Sequence, residues 1–244
     1  MNIKRKIGWW ISKIMYQGNP WKIANAKSFY SQFVKEGVLC FDVGAHLGDK
    51  SAALLSLGAT VVGIEPQPRF SAYLAKHFKS NPRYHHEAIA LGAKSATSTL
   101  HISNLFPTLS TLSNLDWRKK INDATPLKIS YDETIEVRVS TLDNLIDKYG
   151  KPTFIKIDVE GYECEVLKGL SQPVDCISFE VLSFNVDLME ECLIILTKLG
   201  YSKFNFSLRE TFKMSFDNWV DANSVKHYLQ QYSKLYSGDI YARI

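Results

Sequence analysis

Three charged side chains within five positions, Lys156, Asp158 and Glu160, follow the apolar pair Phe154-Ile155 and lead into Gly161. An apolar run that stops in acids and a glycine reads as a parallel strand delivering carboxylates at its carboxyl end, where open sheets bind ligands. Their i, i+2, i+4 spacing would put all three on one face of an extended strand, with Ile155, Ile157 and Val159 on the other. At minimum this is an ion-paired strand end, yet burying such groups is costly unless they pair or work. Glu180, in the next apolar run Ile177-Ser178-Phe179-Glu180-Val181, adds a carboxylate to the same rim. Such a set could orient and deprotonate an acceptor hydroxyl, with Asp158 or Glu160 as base and Glu180 and Lys156 tuning its charge.

A second constellation lies upstream, where Asp42-Val43-Gly44-Ala45-His46-Leu47-Gly48-Asp49 closes another apolar run. Glycine permits a tight turn and close approach of backbone to a ligand. A dinucleotide site would read G-x-G-x-x-G and seat a pyrophosphate. Here acids stand at both ends of the turn. They would repel a diphosphate and suit the ammonium group of an amino-acid moiety, as in S-adenosylmethionine. Glu65, in Ile64-Glu65-Pro66, falls 21 positions after Gly44, where an acid can accept hydrogen bonds from ribose hydroxyls. Asp42 alone could be a helix cap and Glu65 alone a solvated strand end; the combination points to a cofactor. The rim carboxylates could also hold a divalent ion, but no histidine or asparagine completes the shell and no metal is expected.

At 244 residues and 45% hydrophobic content, the chain can form one sizeable α/β domain with a decorated end. The expected division is a helical extension over 1–36 and the main domain over 37–244. A net charge of +4 is far from that of a dedicated nucleic-acid binder, so no nucleic-acid partner is expected. Cys40, Cys164, Cys176 and Cys192 show no metal-ligand spacing, and buried reduced thiols suit a cytoplasmic setting. Near the amino terminus, Lys4, Arg5 and Lys6 precede Ile7, Trp9, Trp10, Ile11, Ile14, Met15 and Tyr16. This run is too short to span a bilayer and lacks a signal-peptide cleavage site. It reads as an amphipathic helix packing on the domain, with peripheral membrane contact through residues 4–16 as the second reading.

The elements alternate. Strands are expected at 38–43, 60–64, 84–90, 97–102, 135–139, 153–159, 175–181 and 201–206, with a further one near 211–215 and a last one at 240–243. Helices are expected over 21–36, 49–57 and from Pro68 to before Asn81-Pro82. Others should run from Ser140 to Gly150, up to Leu170, over 186–199 and over 219–234. Gly18-Asn19-Pro20 signals a turn. The alternation implies a doubly wound, mostly parallel sheet with helices on both faces. Thr108-Leu109-Ser110-Thr111-Leu112-Ser113 reads equally as a solvated turn or a lid. His85, His86 and His101 form no metal pattern, and the tail aromatics are expected to cover the core.

The sequence resembles the FkbM methyltransferase family over about residues 38–182. The resemblance is carried by Phe41-Asp42-Val43-Gly44-Ala45-His46-Leu47-Gly48, Gly63-Ile64-Glu65-Pro66, Glu87-Ala88-Ile89-Ala90-Leu91-Gly92, Val139-Ser140-Thr141-Leu142-Asp143-Asn144-Leu145, Phe154 to Glu163 and Val166-Leu167-Lys168-Gly169. The most specific part is Lys-x-Asp-x-Glu-Gly. The resemblance implies a class I methyltransferase (Rossmann-like) fold with an antiparallel carboxyl-terminal strand, S-adenosylmethionine as cofactor, and methylation of hydroxyls on sugars, glycans or natural products. It makes Asp42, Gly44, Ala45, His46, Gly48, Asp49, Glu65, Ala88 and Asp158 the expected cofactor-side positions. His46 departs from the asparagine usual in the family. An Asn/Asp-Pro-Pro-aromatic motif, typical of enzymes acting on base or glutamine nitrogens, is missing; Asn81-Pro82-Arg83-Tyr84 precedes the third strand instead. Two alternatives stand beside this reading: a nicotinamide-dependent oxidoreductase and a non-catalytic cofactor-binding module.

Overall fold

The computed structural model describes residues 3–17, 20–126, 128–232 and 236–244. Gly18-Asn19 of the expected turn and the end of the expected 219–234 helix lie outside the described residues. Two helices, α1 (Ile3–Gln17) and α2 (Pro20–Tyr30), precede the alternating series β1 (Leu39–Val43), α3 (Asp49–Ser56), β2 (Thr60–Ile64), α4 (Pro68–His77) and β3 (Tyr84–Glu87). An insertion follows, with β4 (Ala90–Leu91), β5 (Ala96–Ile102), a 3-10 turn (Pro107–Leu109), α5 (Leu115–Ala124) and β6 (Glu133–Ser140). Alternation resumes in α6 (Leu142–Tyr149), β7 (Phe154–Ile157), α7 (Glu163–Lys168), β8 (Cys176–Leu182) and α8 (Val186–Lys198). The tail adds β9 (Lys203–Leu208), α9 (Ala222–Gln230) and β10 (Ser237–Arg243).

The main sheet has the order β3-β2-β1-β7-β8-β10-β9. β3 through β8 in that order pair in parallel, while β10 runs antiparallel to both β8 and β9. Chain order reverses at β1, with β2 on one side and β7 on the other, so the crevice beyond their carboxyl ends is the expected ligand position. Register makes these ends level. Val43 lies opposite both Ile64 and Ile157. The Gly44 N–H donates to the Ile64 carbonyl at 2.9 Å, and the Asp158 N–H donates to the Val43 carbonyl at 2.9 Å. Gly44, Glu65 and Asp158 therefore emerge side by side.

Central strands are buried on both faces, which is why they read as continuous apolar runs; all four residues of β7 are buried. α2 belongs to this packing: Tyr30 lies against Phe154 at 5.6 Å and Phe29 against Tyr241 at 5.3 Å, while Phe33, just past the helix, stacks on both rings. Several expectations are corrected. The expected 84–90 strand is two pieces, β3 in the main sheet and β4 in a three-stranded sheet ordered β4-β6-β5. Ser140 is the last residue of β6, and Thr141 caps α6, its hydroxyl accepting the Asn144 N–H at 3.1 Å. Residues 211–215 form no strand. α5 arises in a polar stretch with no expected helix; Asn114 caps it by accepting the Trp117 N–H, a local signal of the usual kind.

The level strand ends require Gly44. Its φ is +83°, and a Cβ there would sit 1.8 Å from the Asp158 carbonyl oxygen. Gly44→Ala should cost on the order of 3 kcal/mol through this clash and the left-handed backbone. At about 2–4 °C per kcal/mol for a chain of this size, calorimetry should show a midpoint lowered by roughly 10 °C. An unchanged midpoint would mean that the turn does not pack as described.

Candidate active site

A cavity of about 570 Å³ opens beyond the carboxyl ends of β1, β2 and β7. On the β1 side its wall is the turn Gly44-Ala45-His46. His46 has φ +48°, a left-handed conformation in which asparagine, aspartate and histidine are enriched; histidine can therefore hold the same backbone shape as the asparagine expected there. The His46 N–H donates to Glu65 Oε2 at 2.9 Å, and the Gln67 N–H donates to Oε1 at 2.8 Å. Two main-chain donors thus fix the Glu65 carboxylate at the cavity wall. Burial pushes its pKa up to about 7 in spite of these bonds, with the charges of Asp42 and Asp158 adding to the rise. Asp42, also buried, accepts the Ser51 hydroxyl at 2.5 Å, and burial raises it to about 6.

The opposite wall is the acidic turn after β7. That strand ends at Ile157, so the one-face strand spacing expected for Lys156, Asp158 and Glu160 does not extend to Glu160. A tight turn takes over, with φ +55° at Glu160 and +90° at Gly161. Surrounding bonds over-determine this strained backbone. The Glu163 carboxylate accepts the Val159 and Gly161 N–H groups at 3.1 and 3.2 Å. The Glu160 carbonyl accepts hydroxyls from Thr111 at 2.6 Å and Ser113 at 3.4 Å. Carboxylate oxygens of Asp158, Glu160 and Glu180 consequently lie within 4.8 Å of one another.

Lys156 makes that density tolerable. It is 2% exposed, and its Nζ donates to Asp158 Oδ2 at 3.1 Å and Asp239 Oδ1 at 3.3 Å. Burial opposes its charge, but Asp158 and Asp239 hold its pKa well above the ordinary lysine value. Asp239 faces Glu180 directly across the β8–β10 pair. Glu160 and Glu180 are both driven well above the carboxylate range, by burial first and then by neighbouring acids, Asp158 foremost. Raised in this way, the ionised forms of Glu160 and Glu180 are stronger bases than a free carboxylate.

Of the sequence-expected residues, Asp42, Gly44, Ala45, His46, Asp49, Glu65, Lys156, Asp158, Glu160 and Glu180 line the one cavity. Two do not. Gly48 packs behind the turn, where a Cβ would strike Phe78 and Leu74 at 2.6 and 2.8 Å. Ala88 is exposed and lies in the crossover from β3 to β4; its neighbours Ile89, Ala90 and Leu91 reach the cavity instead. The hydroxyl-rich segment is not a solvated turn: Thr111 and Ser113 are buried, and Thr108, Ser110 and Leu112 line the cavity. Sequence reasoning missed Gln67, Phe70, Tyr162 and Asp239. Gln67 directly follows Glu65-Pro66 and was within reach, whereas Asp239 enters only through the pairing of β10 with β8.

Residues 42–203 match the methyltransferase FkbM domain. No curated protein matches the chain significantly. Among solved structures, a TehB-like S-adenosylmethionine-dependent methyltransferase from Corynebacterium glutamicum is 10% identical. The alignment covers 99% of this chain and 98% of that one, with a TM-score of 0.50. Fibrillarin from Aeropyrum pernix, solved with natively bound S-adenosylmethionine, is 12% identical over 89% of this chain and 76% of that one, with a TM-score of 0.46. Precorrin-6y C5,15-methyltransferase from Geobacter metallireducens is 10% identical over 91% and 88%, with a TM-score of 0.46. At these identities the first similarity bears on fold alone: the α/β sheet with one antiparallel strand is that of class I methyltransferases.

The raised Glu65 pKa has a binding consequence. A ribose held by this carboxylate needs its ionised form, so affinity for S-adenosylhomocysteine should fall by about tenfold between pH 8 and pH 6. Calorimetric titration checks this, and Glu65→Gln should bind weakly with a flat profile. A flat profile in the unsubstituted protein would rule out ribose contact at Glu65.

Proposed function

The chain belongs to the FkbM methyltransferase family and is an S-adenosylmethionine-dependent methyltransferase, and we propose that it methylates a hydroxyl oxygen of a sugar, glycan or natural-product acceptor. Family membership displaces the nicotinamide alternative. The donor set of the cavity also fits the adenosyl cofactor. In this reading Glu65 takes the ribose hydroxyls, and Asp42, Asp49 and the Gly44-Ala45-His46 turn take the amino-acid end. When bound, S-adenosylmethionine supplies a methyl group on a sulfonium, an electrophile that a well-placed oxygen can accept.

What carries the hydroxyl assignment is the convergence of Asp158, Glu160 and Glu180 within 4.8 Å of one another, beside the cofactor crevice. Asp158 has one oxygen held by Lys156 and is positioned to orient an acceptor. Glu160 stands on a backbone locked by Thr111 and Glu163 and takes the hydroxyl proton. Glu180 shares the cluster's charge. Lys156 is paired with Asp158 and Asp239 and Lys50, also at the cavity wall, with Asp49 and Glu210, so the Asp158–Glu160–Glu180 side presents carboxylates that would repel an anionic acceptor. Neutral polyhydroxyl acceptors fit such a wall. Proximity and orientation supply most of the acceleration, on the order of 7–11 kcal/mol in ideal cases. In this reading residues 37–244 form the methyltransferase unit and residues 1–36 a helical extension. The four buried free cysteines support a cytoplasmic setting.

Glu160→Gln should lower turnover by about 10²–10⁴-fold and leave S-adenosylhomocysteine affinity close to that of the unsubstituted protein. The measurement is methyl transfer to a panel of sugars and hydroxylated natural products, with the product located by mass spectrometry and NMR. Full turnover in Glu160→Gln, or a methyl group found on nitrogen, would overturn the assignment. Cofactor binding with no transfer to any acceptor would favour the non-catalytic alternative.

A further inference from the structure

The exposed side of α1 has the composition of a lipid-contacting surface. Ile3, Ile7, Trp10 and Ile11 recur at helical spacing and are 72%, 46%, 63% and 38% exposed. The inward side carries Gly8, Ser12 and a single large aromatic, Trp9, among the described side chains. Ser12 is buried, and Gly8 lets the helix backbone lie on the Asn104 and Leu105 carbonyls, where a Cβ would come within 2.3 Å. Trp9 secures the helix by stacking on Phe70 at 5.5 Å, with the Arg69 guanidinium 4.3 Å from its ring. α1 is thus docked through its less apolar side and turns its greasy side to solvent. Five of the eight exposed large hydrophobic side chains among the described residues fall in α1 and at Trp21.

Charge runs the same way. Residues 1–35 contain seven Lys or Arg and no acid, whereas the rest of the chain has 22 against 25. Lys4 and Lys6 are both exposed and flank the apolar arc. No helix among the described residues is long and apolar enough to cross a membrane. A basic helix with tryptophan and isoleucine on one face is suited to lying in a headgroup layer, its apolar side chains in the acyl boundary and its lysines on anionic headgroups. A nucleic acid would use the charge but leave the isoleucines in water. We infer that α1 docks the protein on the surface of an anionic lipid bilayer. Phe70 and Pro107, which pack against the inner side of α1, also line the cavity, so docking would bring that wall next to the membrane.

The test is co-sedimentation of the full chain with vesicles of phosphatidylcholine alone or mixed with phosphatidylserine, together with light scattering of the lipid-free protein. Binding to the mixed vesicles is expected, with much weaker binding to phosphatidylcholine. Ile7→Ser/Trp10→Ser should abolish binding. Lys4→Gln/Lys6→Gln should weaken it by about fivefold per lysine. Both variants alter only exposed side chains and should keep the parent melting midpoint and S-adenosylhomocysteine affinity, which separates this inference from the methyl-transfer reading. The inference is overturned if the parent protein stays in the supernatant, if either double variant binds as the parent does, or if the lipid-free protein is a dimer that Ile7→Ser/Trp10→Ser dissociates.

Discussion

A single buried ammonium group makes the acid-rich end of this sheet possible. Lys156 Nζ lies between Asp158 and Asp239, while Glu160 and Glu180 complete a crowd of carboxylates that would otherwise repel one another at short range. Removing one partner of such a buried set is far more damaging than its Coulomb energy suggests, because the remaining charges stay desolvated. The register of β7 sets Lys156 opposite Asp42 of β1 and Ser178 of β8, and from there its side chain reaches both aspartates. Fold and site are therefore joined through one side chain.

The same constraint separates the two halves of the cavity. On the β1–β2 side, Glu65 is fixed by main-chain N–H groups, Asp42 by a serine and Asp49 by Lys50. On the β7–β8–β10 side, a cation holds two acids and leaves two others basic. One half suits neutral hydroxyls and a positively charged amino-acid end; the other suits a group that must lose a proton. The difference follows from which backbone donors each strand end offers.

Much of this was legible in the sequence, for identifiable reasons. Glu65 and Asp158 each follow a buried parallel strand and Asp42 lies within the last two residues of another, and such strands announce themselves as apolar runs with abrupt polar ends. The left-handed turn at Gly44 is visible because glycine adopts that backbone most readily. Glu160 reached the cluster by a different route from the one its spacing suggested, since the strand had already ended. Asp239 and the Thr111–Glu160 bond were not legible, because each depends on packing between segments distant in sequence. Ala88 was misplaced for a related reason: a stretch that reads as one strand divides between two sheets, and the residue at the crossover turns outward.

The most direct measurement is a crystal structure of the protein with S-adenosylhomocysteine. The account requires the ribose hydroxyls on Glu65, the amino-acid end against the Gly44-Ala45-His46 turn, and the sulfur facing the Asp158–Glu160–Glu180 cluster. A ligand seated elsewhere, or one whose sulfur points away from those three carboxylates, would contradict it.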